Sequence, residues 1–239
     1  MKKTIIYFAP HQDDELLSMG IALCISLREG KDVHVVLCSD GSKSKVRFKL
    51  RNGQPCEKHE GIHCYDLSEE EFTKARDREF QGSCEALGVK RENIHIPEKR
   101  AVDGSLSDEE AKEIVERALQ EIDPHAEVCT IYPNGSSQHK DHTALGRAVM
   151  SLYEEGTIEK VSFFLEPYCV KQSLKEDPSL KLAVAEAGLL MKQKIKKAIA
   201  SYSLWKPEEG RYAIGYHSVS DVFDNYIREL KNYRVEGIR

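Results

Sequence analysis

Compact apolar runs alternate with amphipathic segments along the first part of the chain. Residues 4–9 (TIIYFA) and 33–38 (VHVVLC) are rich in apolar and β-branched side chains, a pattern typical of strands buried on both faces of a sheet. Between them, residues 16–28 carry apolar side chains at helical spacing. The order strand, helix, strand predicts a parallel pair joined by a right-handed crossover. We therefore expect an α/β fold built on a mostly parallel sheet.

Further along the chain, capping signals mark where helices begin. Ser68 with Glu71 and Ser107 with Glu110 have the spacing of capping boxes, which predicts helices to about residues 87 and 122. Asp177 and Pro178 predict the start of a long helix to about residue 202. Periodicity predicts the remaining elements: strands at residues 92–97, 128–132 and 161–165, and helices at residues 142–153 and 221–231.

Residues 39–67 interrupt this alternation and are predicted to form a long polar loop, which in a compact domain is usually functional or mobile. The loop begins with a basic stretch at residues 43–51. We interpret this stretch as solvated surface, with attraction of an anionic substrate as the alternative. No linker is apparent, so residues 1–239 are predicted to form a single domain. Residues 39–67 and 167–239 are the regions where substrate specificity is expected.

Composition narrows the class of protein. The 239 residues suit one α/β domain, and 40% of them are hydrophobic, enough for a substantial core. A net charge of −5 gives no indication of nucleic-acid binding. The N-terminal apolar run is too short for a signal peptide, and no run approaches the roughly 20 residues of a membrane span. We therefore expect a cytoplasmic protein without a membrane partner, its seven cysteines reduced. The oligomeric state stays open, a homo-oligomer included.

Polar clusters follow three of the predicted strands. His11, Asp13 and Asp14 follow the first strand, Asp40 follows the second, and residues 139–142 (HKDH) follow the strand at 128–132. Ligands of open parallel sheets bind beyond the carboxyl ends of the strands. The three clusters are therefore expected to meet at one edge of the sheet.

The residue types in these clusters suit a catalytic metal centre. His11, Asp14 and His142 offer two imidazoles and one carboxylate, a set that binds Zn²⁺ and leaves a position for water. Asp13 is then free to accept a proton from that water. His139 could stabilise the oxyanion or donate a proton to the leaving amine, with Asp141 orienting it. Taken separately, Asp-rich turns after strands often serve only as helix caps.

The motifs are similar to those of a known family. Residues 10–15 (PHQDDE) resemble the [AP]-H-x-D-D-E signature of the PIG-L/LmbE-like N-deacetylases. The motifs at residues 39–41 (SDG), 76–79 (RDRE), 103–104 (DG) and 139–142 (HKDH) follow in the family's order, with Lys140 where many relatives have proline. The resemblance covers roughly residues 4–150.

The resemblance implies a Rossmann-like fold with helices on both faces and a zinc-dependent hydrolase that removes an N-acetyl group, usually from an amino sugar. It assigns His11, Asp14 and His142 to one divalent ion, Asp13 to the general base and His139 to the tetrahedral intermediate. It also places Arg76 and Asp103 near the substrate; Asp40 is included with them, although it could equally be a supporting or turn residue. Arg76 could instead form an ion pair with Glu79, one helical turn away. Iron could replace zinc on these ligands.

Other interpretations stay open. A non-catalytic metal- or sugar-binding module on the same fold is one alternative, although it has no need for the spare carboxylate of Asp13. Another metal-dependent hydrolase, acting on an ester or a thiol-sugar conjugate, is the second. Separately, Cys56, His59, His63 and Cys64 offer the ligand types of structural zinc, but their spacing is shorter than in familiar zinc fingers, so we favour a polar loop here. His217 is expected to be a surface histidine.

Overall fold

The computed structural model describes residues 2–135 and 139–238 of the chain. The strands in this part of the chain are β1 (Thr4–Ala9), β2 (Asp32–Leu37), β3 (Gln54–Cys56), β4 (Gly61–His63), β5 (Ile94–His95), β6 (Glu127–Ile131), β7 (Val161–Leu165), β8 (Lys181–Glu186), β9 (Trp205–Lys206), β10 (Arg211–Tyr212) and β11 (Lys231–Glu236). The α-helices are α1 (Asp14–Leu17), α2 (Gly20–Arg28), α3 (Lys45–Arg51), α4 (Glu69–Leu87), α5 (Asp108–Glu121), α6 (Lys140–Glu154), α7 (Val170–Glu176), α8 (Leu189–Ser203), α9 (Ile214–Ser218) and α10 (Ser220–Glu229).

Seven strands form the central sheet in the order β5-β2-β1-β6-β7-β11-β8. The pairs among β5, β2, β1, β6 and β7 are parallel, whereas β11 runs antiparallel to both β7 and β8. The apolar sequence of β1 is explained by its central place, since five of its six residues are buried. The predicted mostly parallel α/β fold is confirmed.

Helices cover both faces of this sheet. On one face, side chains of α2, α4, α8 and α10 share a core that includes Phe80, Tyr202 and Phe223. On the other face, α5 and α6 pack against the sheet through residues such as Val115 and Leu145. The two predicted capping boxes, Ser68 with Glu71 and Ser107 with Glu110, are both formed. The predicted arrangement of helices on both faces is therefore confirmed.

The single helix predicted for residues 16–28 is wrong, because the chain forms α1 and α2 with a break between them. The buried side chain of Asn232, on β11, lies at this break. Its Oδ1 accepts the N–H of Ile21 at 2.6 Å, and its Nδ2 donates to the carbonyl of Leu17 at 3.0 Å. These two backbone groups would bond to each other in a continuous helix, and an inserted side chain is a recognised cause of such breaks.

The long helix predicted from Pro178 is also wrong. Asp177 accepts bonds from the backbone N–H and the hydroxyl of Ser179, which makes a turn there. β8 follows and pairs with β11, and α8 begins only at Leu189. The last predicted helix is present as α10, but it ends at Glu229 and β11 follows it in the sheet. Pairing between these two distant strands therefore decides the structure of both segments.

Residues 39–67 are more structured than a polar loop. They contain α3 and a hairpin of β3 and β4. Val46 and Leu50 of α3 join a small apolar core with Phe72 of α4 and Ile214 of α9. The segment therefore packs against α4 and α9.

Two further expectations concern the whole chain. All seven cysteines are free thiols, and six are buried, among them the four predicted core residues Cys24, Cys38, Cys84 and Cys129. Within residues 2–135 and 139–238, every helix is too short or too polar to cross a lipid bilayer.

Candidate active site

The predicted metal motif lies where the strand order of the sheet reverses. From β1 the chain continues to β2 and β5 on one side, whereas β6 and β7 lie on the other side of β1. The carboxyl ends of β1 and β6 therefore border a crevice, the usual ligand position in an open parallel sheet. His11 follows β1, His142 lies in the first turn of α6 after β6, and both line the cavity in this crevice.

Three side chains surround one point in the crevice. His11 Nδ1 lies 3.5 Å from Asp14 Oδ2 and 3.0 Å from His142 Nε2, and those two partner atoms are 3.1 Å apart. Two imidazole nitrogens and a carboxylate oxygen at this spacing suit a divalent ion and leave a position for water. The structure thus brings together the three predicted metal ligands, two of which are 131 residues apart in sequence.

Asp141 contacts Nε2 of His11, the ring nitrogen that does not face Asp14 and His142. Its Oδ2 lies 3.0 Å from His11 Nε2, and its carboxylate also accepts the backbone N–H groups of Gly104 and Leu106. A carboxylate in this position fixes the tautomer and orientation of a metal-binding imidazole. We expected Asp141 to orient His139; the structure places it against His11 instead.

Glu166 orients the ring of His142 in the same way as Asp141 orients that of His11. The sequence interpretation missed Glu166. Its Oε1 lies 2.6 Å from His142 Nδ1, and the side chain is 1% exposed. Glu166 directly follows β7, so it stands at the carboxyl end of a parallel strand, as His11 does. The rule that located the other clusters could therefore have located this residue.

The carboxylates make the crevice attractive to positive charge. Burial acts to lower the pKa of His142, but the charge of Asp14 and hydrogen bonds with Asp14 and Glu166 outweigh burial and raise this pKa to about 9. Surrounding carboxylates likewise raise the pKa of His11 well above its ordinary value. Burial would raise the pKa of Asp14, yet the two imidazoles hold it well below its usual range. A divalent ion would satisfy the same attraction and displace the protons from both rings.

Asp13, next to the ligand Asp14 in sequence, contacts a different partner. Its φ of 104° lies in the left-handed region, which is strained for any residue other than glycine and is typical of functional sites. Its Oδ2 lies 3.1 Å from Arg76 Nη2. Burial raises the pKa of Asp13 to about 6, against the opposing charge of Arg76. The adjacent carboxylates of Asp13 and Asp14 thus have different partners, as the assignment of Asp13 to the base and Asp14 to the metal requires.

Arg76 is buried beside this carboxylate, with 5% of its side chain exposed. It donates to Asp13, to Glu79 Oε2 at 3.3 Å and to the backbone carbonyl of Gln12. The ion pair with Glu79, which the sequence left as an alternative, is therefore present. Arg76 also borders the cavity, so a contact with substrate stays a prediction.

Glu79 links this arginine to the C-terminal part of the chain. Its two carboxylate oxygens accept the backbone N–H groups of Ile214 and Gly215 at 2.7 and 2.9 Å, in the first turn of α9. A side chain at position 215 would place its Cβ 2.6 Å from Arg76 Nη1, so glycine is required for this close approach. The sequence interpretation missed Glu79 as a site residue.

His139 and Asp103 lie at the mouth of the crevice. His139 Nε2 is 3.7 Å from Asp103 Oδ1, and its ring contacts that of His11 edge-on, with 4.2 Å between centroids. Burial and the two neighbouring imidazoles lower the pKa of His139, so its ring is mainly neutral at pH 7. A neutral ring can donate an N–H to substrate without carrying a full charge. Asp103 also lies 3.3 Å from His11 Nε2.

Asp40 stabilises the loop at the mouth of the crevice through hydrogen bonds. Its Oδ1 accepts the backbone N–H groups of Ser42 at 2.9 Å and Asp103 at 3.0 Å. These bonds hold the turn that carries Asp103, which supports the interpretation of Asp40 as a turn residue.

Glu15, the last residue of the motif, is completely buried beneath the site. Its carboxylate accepts the hydroxyls of Ser83 at 2.6 Å and Tyr202 at 2.8 Å, and the backbone N–H of Asp13 at 3.0 Å. Burial raises the pKa of Glu15 to about 8. The side chain therefore fixes the strained turn at Asp13 to α4 and α8.

A cavity of about 150 Å³ opens above these groups. It is lined by the metal-ligand cluster and by Asp13, Arg76, Asp103, His139, Tyr168 and Ser218. A second cavity of about 340 Å³, lined by residues such as Tyr7, Lys31 and Glu127, lies elsewhere on the sheet. We place the active site in the smaller cavity because the imidazoles and carboxylates line it.

Comparison with solved structures finds the same fold. A deacetylase of the teicoplanin biosynthesis pathway has a TM-score of 0.66 at 18% identity, covering 98% of this chain and 98% of its own. The N,N'-diacetylchitobiose deacetylase of Pyrococcus horikoshii has a TM-score of 0.60 at 18% identity, covering 99% and 84%. The 4-carboxy-2-hydroxymuconate hydratase of Pseudomonas putida has a TM-score of 0.57 at 16% identity, covering 99% and 97%. These identities show a shared fold alone.

The family profile adds the chemistry. The profile of the PIG-L family, described as GlcNAc-PI de-N-acetylase, matches residues 6–153, which include every predicted ligand of the metal centre. No curated protein sequence matches the chain. A Rossmann-like fold with a carboxylate and imidazole centre at its switch point suits a metal-dependent enzyme, and the family match places it among the hydrolases. The chain belongs to the PIG-L family of N-deacetylases, as its motifs predicted.

Proposed function

We propose that the protein is a zinc-dependent hydrolase that releases acetate from an N-acetylated amino sugar or a conjugate of one. One observation carries the proposal: His11, Asp14 and His142 surround one point, and the separate carboxylate of Asp13 lines the same cavity. A binding module needs the first feature only. An amide hydrolase needs both, because a nucleophilic water must lose a proton.

The residues of the cavity supply the steps of such a reaction. A zinc ion, when bound, polarises the amide carbonyl and lowers the pKa of a water molecule to about 7. Asp13 accepts the proton of the attacking water, because its carboxylate is ionised above about pH 6 and is not used as a ligand. Arg76 holds that carboxylate in place. The proton is then available for the amine that leaves.

His139 is placed to act on the other side of the carbonyl. Its ring borders the cavity next to His11, and a neutral imidazole can donate its N–H to the oxygen on which charge develops. Asp103 lies within reach of the same ring and of the cavity, where a carboxylate can accept hydrogen bonds from sugar hydroxyls.

The donor set favours zinc over other ions. Two imidazoles and one carboxylate are a usual set for catalytic zinc, and outer carboxylates orient both rings so that the nitrogen on the opposite side of each ring faces the metal position. Iron uses the same donor types. Metal analysis of protein purified without added metal, followed by reconstitution of the stripped protein with each ion, distinguishes the two.

The amino-sugar class is supported by the family and by the relatives. The family profile is described as a GlcNAc-PI de-N-acetylase, and one similar structure is a diacetylchitobiose deacetylase. The test measures acetate release from a panel of N-acetylated amino sugars and their conjugates. Acetate from at least one member supports the proposal. A protein that binds zinc and releases acetate from none of them contradicts it, and favours a hydrolase of other bonds or a hydratase.

Substituting the two adjacent aspartates separates their roles. We expect Asp13→Asn to keep bound metal and to lower kcat by about 10²- to 10⁴-fold, because a base is removed and no ligand is lost. Asp14→Asn should instead lower metal affinity. Exposed Asp221 offers a control, since Asp221→Asn should change neither quantity. If Asp13→Asn loses the metal and Asp14→Asn keeps it, the two assignments are reversed.

A further inference from the structure

A second group of metal-binding side chains lies outside the active site. Cys56 is on β3, His63 is on β4, His59 is in the turn between these strands, and His217 is on α9. One ligand atom from each lies within 4.8 Å of the others. The hairpin and α9 are about 150 residues apart in sequence, so folding alone assembles this group.

The ligand atoms are already close to the spacing of a tetrahedral site. His63 Nδ1 lies 2.9 Å from His217 Nε2, and Cys56 Sγ lies 3.2 Å from His59 Nδ1. A tetrahedral zinc ion with bonds of about 2.1 Å to nitrogen and 2.3 Å to sulfur separates its ligands by roughly 3.4–3.7 Å. To form a site with one sulfur and three nitrogen ligands, these two pairs must separate by about half an ångström, and the remaining pairs, all within 4.8 Å, must approach by about 1 Å at most.

Neighbouring groups fix the orientation of these side chains, as they do for the ligands of a metal site. His59 Nε2 is 2.9 Å from the carbonyl of Ser203, which leaves its Nδ1 directed toward Cys56. The ring of His63 stacks on Trp205, with 3.5 Å between centroids and 7° between planes. Cys56, His63 and His217 are only 5%, 3% and 7% exposed. Closed sites lined by four protein ligands are typical of structural zinc.

This placement corrects two sequence interpretations. His217 is buried, so its interpretation as a surface histidine is wrong. Cys64 was grouped with the other three residues, but it is exposed and its Sγ donates to the carbonyl of Arg51. The spacing of Cys56, His59 and His63 looked too short for a zinc finger because the fourth ligand comes from a distant helix.

We propose that Cys56, His59, His63 and His217 form a second, structural zinc site that ties the β3–β4 hairpin to α9. The site shares no ligand with the active-site cluster of His11, Asp14 and His142. Its role is to fix α9, whose first backbone N–H groups hold Glu79 and, through it, Arg76 and Asp13.

The experiment counts metal ions and identifies sulfur ligands. We expect about two zinc ions per chain in the full-length protein, one in each site. When cobalt replaces zinc, the second site should give a near-ultraviolet thiolate-to-cobalt charge-transfer band, because cobalt in the active site has only nitrogen and oxygen donors. Cys56→Ser should remove the band and about one ion per chain. Cys64→Ser changes a cysteine of the same segment outside the group, so it should keep both.

A third variant separates the two sites. The double substitution His11→Ala and His142→Ala should remove the active-site ion and keep the thiolate band. Persistence of the band in the Cys56→Ser variant contradicts the proposal. A wild-type protein with a single ion and no thiolate band contradicts it as well, and this measurement decides the question even if a variant fails to fold. In that case the four side chains form a hydrogen-bonded cluster only.

Discussion

Arg76 shows how one buried charge can set the acidity of the proposed general base, Asp13. Burial favours the neutral form of Asp13, and the guanidinium 3.1 Å away favours the ionised form. The balance leaves the pKa of Asp13 at about 6, and a bound cation nearby will lower it further. Since the base works only when ionised, kcat/KM should fall as the pH drops through the pKa of Asp13, which lies below about 6 when the cation is bound.

Removing that charge should move the acidic limb of the pH profile. We expect Arg76→Gln to raise the midpoint of the limb by about 1 pH unit, because an opposite charge next to a carboxylate lowers its pKa by 1–3 units. Arg76→Lys should restore part of the shift. The measurement is kcat/KM against pH. Arg78 lies on the same helix and is exposed, so Arg78→Gln should leave the midpoint unchanged. A midpoint that stays or falls in Arg76→Gln contradicts the role assigned to Arg76.

Glu166 should control metal affinity without being a ligand. It orients His142 through a 2.6 Å contact. We expect Glu166→Ala to weaken metal binding by about 10- to 100-fold, the usual effect of removing such a partner. Competition with a chromophoric chelator measures this affinity. Glu159 is exposed, and Glu159→Ala should bind metal as the wild type does. Unchanged affinity in Glu166→Ala would show that His142 needs no orienting carboxylate.

At the residue scale, the sequence predicted those site residues that lie in short motifs. His11, Asp13 and Asp14 are consecutive or nearly so, and His142 follows a recognisable strand. Glu79 belongs to the 76–79 motif and Glu166 follows β7, but the groups they bond, the backbone of α9 and the ring of His142, come from other elements. Which group each carboxylate meets depends on how α9 and α6 pack, which local patterns do not encode.

Asn232 is the clearest case of one element acting on another. From β11 it bonds the two backbone groups at the break between α1 and α2, and it is fully buried. The break separates the short helix that carries Asp14 and Glu15 from the rest of the crossover helix. The apolar periodicity of residues 16–28 runs through the break, which explains why the sequence predicts one helix.

Removing this side chain should be costly. We expect Asn232→Ala to lower the free energy of unfolding by about 3 kcal/mol, because one buried N–H and one buried C=O lose their partners. Chemical denaturation measures the change. Asn225→Ala, an exposed asparagine on α10, should change stability by less than about 0.5 kcal/mol. A similar small loss in Asn232→Ala would mean that α1 and α2 join into one helix without it.

The sequence patterns did not predict the pairing of β8 with β11 at one edge of the sheet. β8 and β11 are polar enough to face solvent in part, and each pairs with a strand far from it in the chain. Helical periodicity was the stronger local signal for residues 178–202, and pairing with β11 overrode it for β8. The central strands β1, β2, β6 and β7, in contrast, are mostly apolar, and the sequence predicted each of them.

Over the whole molecule, charge gives little steering toward the site. Of the basic stretch at residues 43–51, Lys43 and Arg47 pair with Glu69, and Arg51 pairs with Asp66. With these charges partly neutralised and a net charge of −5, attraction of an anionic substrate is not favoured.

Ionic strength should therefore have a weak effect on catalysis. We expect kcat/KM for a phosphorylated or carboxylated amino sugar to change by less than about twofold between 0.05 and 0.5 M salt, since salt screens only charges that act at a distance. A neutral substrate measured in parallel controls for effects of salt on the enzyme itself. A fall of about tenfold for the anionic substrate alone would restore the steering interpretation.

The fold class and the enzyme family were predictable from the sequence because both depend on motifs at the ends of apolar strands. The cytoplasmic location and the single-domain organisation stay predictions, and the oligomeric state stays open.

The position of Asn232 also has a consequence for synthesis of the protein. The turn that presents Asp13 and Asp14 is made first, but the side chain that ends the following helix is made more than two hundred residues later. β11 must also enter the sheet between β7 and β8 to bring that side chain into place. A chain still emerging from the ribosome can therefore form its first strands early, yet the break between α1 and α2 receives its two bonds from Asn232 only after β11 has joined the sheet.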